Sequence, residues 1–154
     1  MAIPNLDRDN LDYHRACIGR LMADTTPNWG TMTPDRLCAH LAFFIRISLN
    51  EAGDLKPAVP RFLQPVLRWL FFEVITSWPK SIKSPAFMTP PAQDTFEQER
   101  DTLLAELARF TETLEQDPSR LGYSPAFGNN PLSYWARLHG VHLNHHYKQF
   151  GLLP

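Results

Sequence analysis

PLSYWARLHGVHLNHHYKQFG, residues 131–151, is the stretch on which the reading of this chain turns. Four of the six histidines lie in it, between positions 139 and 146. On a helix advancing about 100° per residue, Trp135, Leu138, His139, His142, His146, Gln149 and Phe150 share one face, with Arg137, Asn144 and Lys148 opposite. The face that should enter a core therefore carries imidazoles. A buried polar group without a partner costs about 1–3 kcal/mol, so these rings must hydrogen-bond to something or ligate something.

His142 and His146 stand at i and i+4, one above the other on that face. Such a pair can clamp one metal ion from a single helix. A third ligand has to come from elsewhere. Upstream, TPDRLCAHLAFFIRISLNEAG reads as a helix with Thr33 at its N-cap, Pro34 at N1 and Gly53 closing it. Its apolar stripe is Leu37, His40, Leu41, Phe44, Ile47 and Ser48, with Asp35, Ala39, Arg46 and Asn50 toward solvent. A lone histidine on such a stripe is more often a hydrogen-bonded core residue than a ligand; His40 gains interest because the last helix presents histidines on its own core face. Three imidazoles with open positions would suit a catalytic rather than a closed structural site. His139 reads first as structural polar packing and next as a group behind the ligands or a fourth ligand, and His145, about 100° to one side of His142, as a flank residue.

The remaining elements are expected to be helical. About Asp7 to Met22 forms a first helix with Leu11, His14, Ile18, Leu21 and Met22 on one side, His14 being hydrogen-bonded in the core. From Asp54 to Pro91 the pattern breaks, with seven of the fourteen prolines between positions 57 and 91. This crossover is too rich in large apolar side chains, among them Phe62, Val66, Trp69, Leu70, Phe71 and Trp78, to remain in water. A further helix is expected over roughly Arg61 to Ser77. The segment PPAQDTFEQERDTLLAELARFTETLEQDPS gives the clearest helix, with a capping-box-like start at Asp94 and Glu97, a stripe of Phe96, Leu103, Leu107, Phe110 and Leu114, and Pro118 just beyond its end. The linking DPSRLGYSPAFGNN reads as loop. Four principal helices, one elaborated Pro-rich crossover between the second and third, and no alternating strand pattern describe an all-α four-helix bundle in one domain, 1–154.

Charge and composition narrow the function. A net charge of -1 with both signs interspersed offers no basic footprint for nucleic acid or anionic lipid. The longest apolar run, Val66 to Ile75, is broken by Arg68 and Glu73 and is far short of the ~20 residues of a membrane span. The N-terminus has no apolar signal core, and Cys17 and Cys38 form no motif, so a cytoplasmic protein with buried thiols is expected. No Ser nucleophile elbow, phosphate-cradling glycine loop or paired-carboxylate motif is present.

HLNHHYKQFG resembles the HxxHHxxQ signature of the last helix in the DinB-like superfamily of bacterial four-helix bundles, and WGTMTPDRLCAHL resembles the segment holding that superfamily's first metal-binding histidine. The nearest likeness is to a branch described only as a domain of unknown function, through PAFMTPPAQDTFEQERDTLLAELARF and WARLHGVHLNHHYKQFGL. The resemblance covers the chain from about Arg20 onward. It implies a divalent ion held by His40, His142 and His146, zinc or nickel being the expected metals for such nitrogens. It also implies activity, in some relatives, that joins a low-molecular-weight thiol to an electrophile, and assembly as a homodimer. His139 and the aromatic crossover depart from the pattern and leave the substrate open.

Overall fold

The computed structural model describes residues 3–74, 78, 80 and 86–154. Among these residues the chain forms five α-helices and a two-stranded antiparallel sheet, so the expectation of an all-α four-helix bundle is corrected to a mixed α and β fold.

The first helix, α1, spans Leu11–Gly19, shorter than expected at both ends. Asp7 Oδ1 accepts the Asn10 backbone N–H at 3.0 Å, which holds the preceding residues in a turn. At the other end Leu21 N–H closes on the Ile18 carbonyl at 3.0 Å. Leu21 is buried, whereas Met22 is 57 % exposed and does not belong to the apolar stripe. The second helix, α2, spans Pro34–Ser48 behind Thr33. It stops before Gly53 because Asn50 takes the left-handed conformation (φ 61°), with Asn50 N–H on the Ile47 carbonyl at 3.0 Å and Glu51 N–H on that of Arg46 at 2.9 Å, a Schellman closure. All six residues of the expected stripe are buried.

Within the crossover, α3 covers Gln64–Trp69 and runs into a π-helical turn, Leu70–Val74; a 3₁₀ turn follows at Ala86–Met88. Residues 75–77 of the expected Arg61–Ser77 helix lie outside the described residues. The long helix α4, Phe96–Gln116, starts with a capping box, but its members are Thr95 and Gln98, one residue on from Asp94 and Glu97. Leu103, Leu107 and Phe110 of its stripe are fully buried.

The sheet lies where a loop is expected. β1, Leu121–Ser124, pairs with β2, Gly128–Pro131, with Gly122 opposite Asn130. Ser124 Oγ accepts the N–H groups of Ala126 and Phe127, and Gly128 supplies the left-handed residue (φ 72°) that returns the chain. The hairpin is anchored to α2 by Asn50, whose Nδ2 donates to the Leu121 carbonyl at 2.9 Å while its Oδ1 accepts from Tyr123 N–H at 2.8 Å. Gly122 is required there, because a Cβ would lie 2.0 Å from the Ser48 carbonyl oxygen.

The last helix, α5, spans Leu132–Phe150 and ends at left-handed Gly151. It is buried on more than the expected face: Asn144, placed toward solvent by the periodicity, is only 9 % exposed. The N-terminal segment lies along α5, with Leu6 N–H on the Ala136 carbonyl at 2.9 Å, and passes so close that a Cβ on Gly140 would sit 2.3 Å from the Pro4 carbonyl oxygen. No helix among the described residues is long and apolar enough to cross a membrane.

Candidate metal centre

The stripe of α2 and the core face of α5 meet at three imidazoles. His40 Nε2 lies 3.0 Å from His142 Nε2, and His146 Nε2 lies 3.1 Å from the same atom. The ligand atoms of all three lie within 4.8 Å of one another. His40 and His142 are each 1 % exposed and His146 is 6 % exposed. His142 is further enclosed by Phe44, edge-on at 4.5 Å between ring centroids, and by the indole of Trp78, stacked at 4.7 Å and 24°.

The far nitrogens show which tautomers are present. His40 Nδ1 stands 2.5 Å from the Met88 carbonyl, an acceptor only, so Nδ1 carries the hydrogen. His146 Nδ1 lies 2.8 Å from Gln149 Oε1. The orientation of that amide follows from its other end, where Nε2 donates to the Trp29 carbonyl at 3.0 Å. Gln149 therefore presents oxygen to His146, and His146 too carries its hydrogen on Nδ1. Both rings turn a bare Nε2 lone pair toward His142.

Hydrogen bonding alone does not satisfy this arrangement. His142 Nε2 has at most one hydrogen to give to two lone pairs, leaving one contact of about 3 Å between unshielded nitrogens. Protonation does not resolve it. Burial holds all three pKa values below the usual histidine range; neighbouring imidazoles push those of His142 and His146 further down, while the Met88 carbonyl partly opposes the lowering at His40. A cation does resolve it. Three neutral imidazoles with converging lone pairs, two of them oriented by a carbonyl and an amide oxygen, form a donor set fitted to a divalent ion. Nitrogens bound at about 2.0–2.1 Å around a tetrahedral ion stand about 3.3 Å apart; two of the three pairs here, at 3.0 and 3.1 Å, are close to that, and the third lies within 4.8 Å.

The other histidines are held elsewhere. His139 Nε2 is 2.9 Å from Ser48 Oγ, which itself donates to the Ile45 carbonyl, so His139 is the donor of the pair. Stacked on Trp135 and fully buried, it has its pKa pushed down to about 3 by desolvation, with a smaller contribution from His14. His145 is half-buried and places Nδ1 3.2 Å from the Trp78 carbonyl. His14 is bonded on both ring nitrogens, to the Tyr147 hydroxyl at 3.0 Å and the Asn5 carbonyl at 2.9 Å. Cys17 and Cys38 are free, buried thiols. Desolvation and nearby Glu99 push Cys38 up to about 12, so it stays protonated at neutral pH.

Sequence reasoning did not assign the partners behind the ligands. Gln149 was detectable, because it lies three residues after His146 on the same helical face. Met88 and Trp78 carried no such signal: one acts through a main-chain carbonyl, the other through the face of a ring.

The chain belongs to the family described as "Protein of unknown function (DUF1569)", whose family model matches residues 2–151. No curated protein and no solved structure matches the chain.

Proposed function

We propose that this member of the DUF1569 family is a metal-binding protein in which His40, His142 and His146 hold one divalent ion, zinc and nickel being among the metals that suit imidazole nitrogens. The observation that carries the reading is the pair of fixed tautomers, which aim two bare Nε2 lone pairs at a third ring nitrogen in a water-poor site. The ion would supply Lewis acidity, depressing the pKa of a thiol or water presented to it so that a nucleophile is available at neutral pH.

The chain's own contributions to this site are orientation and exclusion. The Met88 carbonyl and Gln149 hold protons on the far nitrogens, and Phe44 and Trp78 keep water from His142. The DinB-like resemblance adds the reaction class, the joining of a low-molecular-weight thiol to an electrophile. A second reading, a non-catalytic metal- or small-ligand-binding protein, is favoured by the depth of the cluster and by the Trp78 ring stacked over it. The homodimer belongs to the same proposal. It is supported by the apolar surface of the crossover, where Phe62 is 78 %, Val66 59 % and Trp69 60 % exposed, and sedimentation velocity of wild type beside Trp69→Lys tests it.

Metal content by plasma mass spectrometry, after dialysis against a weak chelator, tests the site itself. The expected result is near-stoichiometric metal in wild type and its loss in His142→Ala, with both proteins folded by circular dichroism. Metal absent from both, and not taken up when zinc or nickel is added back, overturns the proposal. A metal-loaded protein that consumes no thiol across a panel of electrophiles selects the non-catalytic reading.

A further inference from the structure

Beside the histidine cluster, along the flank of α5, runs a groove of about 140 Å³. Trp29 and Trp78 line it together with Val141, and Lys80, Asn144 and Lys148 contribute its polar groups; none of the described lining residues is acidic. The Lys80 ammonium stands 4.4 Å from the centroid of the Trp29 ring. His145, also in the lining, donates to the Trp78 carbonyl.

Asn144 is the telling residue. It is 9 % exposed, yet its carboxamide makes no hydrogen bond with any described residue. It lines the groove, so its carboxamide has a donor and an acceptor to offer a group bound there. Two ammoniums, an unengaged amide donor and apolar aromatic walls together recognise a negative head on an apolar body. Inorganic phosphate would leave the indoles and Val141 without a contact.

We infer that this groove binds a small organic carboxylate, its apolar body between Trp29 and Trp78 and its carboxylate between Lys80, Lys148 and the Asn144 amide. The inference goes beyond the metal reading and does not depend on it. The two places share one residue, Trp78, which stacks on His142 and also walls the groove.

Calorimetric titration of the full chain with phenylacetate tests it, with phenylacetamide and inorganic phosphate as controls. Phenylacetate should bind with a Kd of about 0.1–1 mM, as expected for a ligand of this size. The uncharged amide and phosphate should bind at least about tenfold weaker, the loss expected from removing either the charge or the apolar body. The double variant Lys80→Ala/Lys148→Ala and the single variant Asn144→Leu should each lose about tenfold or more while keeping the wild-type metal content and melting temperature. Equal affinity for phenylacetamide, unchanged affinity in the double lysine variant, or no binding of phenylacetate at ~10 mM overturns the inference. Binding that survives the lysine changes but disappears in His142→Ala is coordination to the metal, and it overturns the groove while leaving the metal site standing.

Discussion

Acid should unfold the metal-free protein at an unusually mild pH. His139, His142 and His146 are buried as neutral rings, with His139 held at about 3 and the other two well below the usual range. In the unfolded chain each takes up a proton near pH 6.5. Above that pH neither state binds protons at these rings, and their contribution to stability is fully present. Below it the unfolded chain alone gains protons, so stability falls by about 1.4 kcal/mol per pH unit for each ring that stays neutral in the fold. Between pH 7.5 and 5.5 the three rings together remove about 4 kcal/mol, a large part of the 5–15 kcal/mol that holds an ordinary domain together. The lowered pKa values of His14 and His40 act in the same direction. Urea unfolding followed by far-ultraviolet circular dichroism, in chelator at the two pH values, measures the difference. His139→Leu should shrink it by about 1.4 kcal/mol, since one proton fewer is taken up on unfolding and Ser48 Oγ keeps its bond to the Ile45 carbonyl. A difference below about 1 kcal/mol in wild type would refute the reasoning, because the rings would then be charging inside the folded protein.

Two further perturbations follow from particular contacts. Gln149→Leu removes the oxygen that orients His146, and competition against a chromophoric zinc chelator should show metal affinity reduced about 10–100-fold; unchanged affinity would mean that Gln149 has no part in the site. Gly122→Ala brings a Cβ against the Ser48 carbonyl and, at 2.8 Å, Trp135 Nε1, so thermal unfolding should report a loss of about 1–3 kcal/mol as the hairpin is forced from α2. An unchanged melting temperature would show that the hairpin shifts without cost.

The helices were legible because their signals are local. Thr33-Pro34, the stripe of α2 and the 3.6-residue spacing from Trp135 to Phe150 each act within one segment, and α2, α4 and α5 form around them. The hairpin was not legible. LGYS and GNNP are four-residue strands without a β-branched residue, rich in Gly and Asn, and they are held by Asn50 and by the turn at Ser124 rather than by strand propensity. Asn144 misled for a related reason: periodicity identifies the face opposite the core stripe, but Trp29 and Trp78 from distant segments stand beside Asn144 on that face.

From the order of residues alone came the presence of histidines on two core-facing stripes, which follows from helical repeat and from nothing else in the molecule. The tertiary structure decided that His40, His142 and His146 meet while His139 turns to Ser48, because a helix wheel gives direction around one axis and not the crossing of two. It also decided the protonation pattern. A carbonyl 48 residues beyond His40 and an amide locked by the Trp29 main chain choose which nitrogen of each ring is bare. Proton placement on a buried imidazole is set by whatever acceptor the folded chain puts beside it, and no periodicity in the sequence encodes that neighbour.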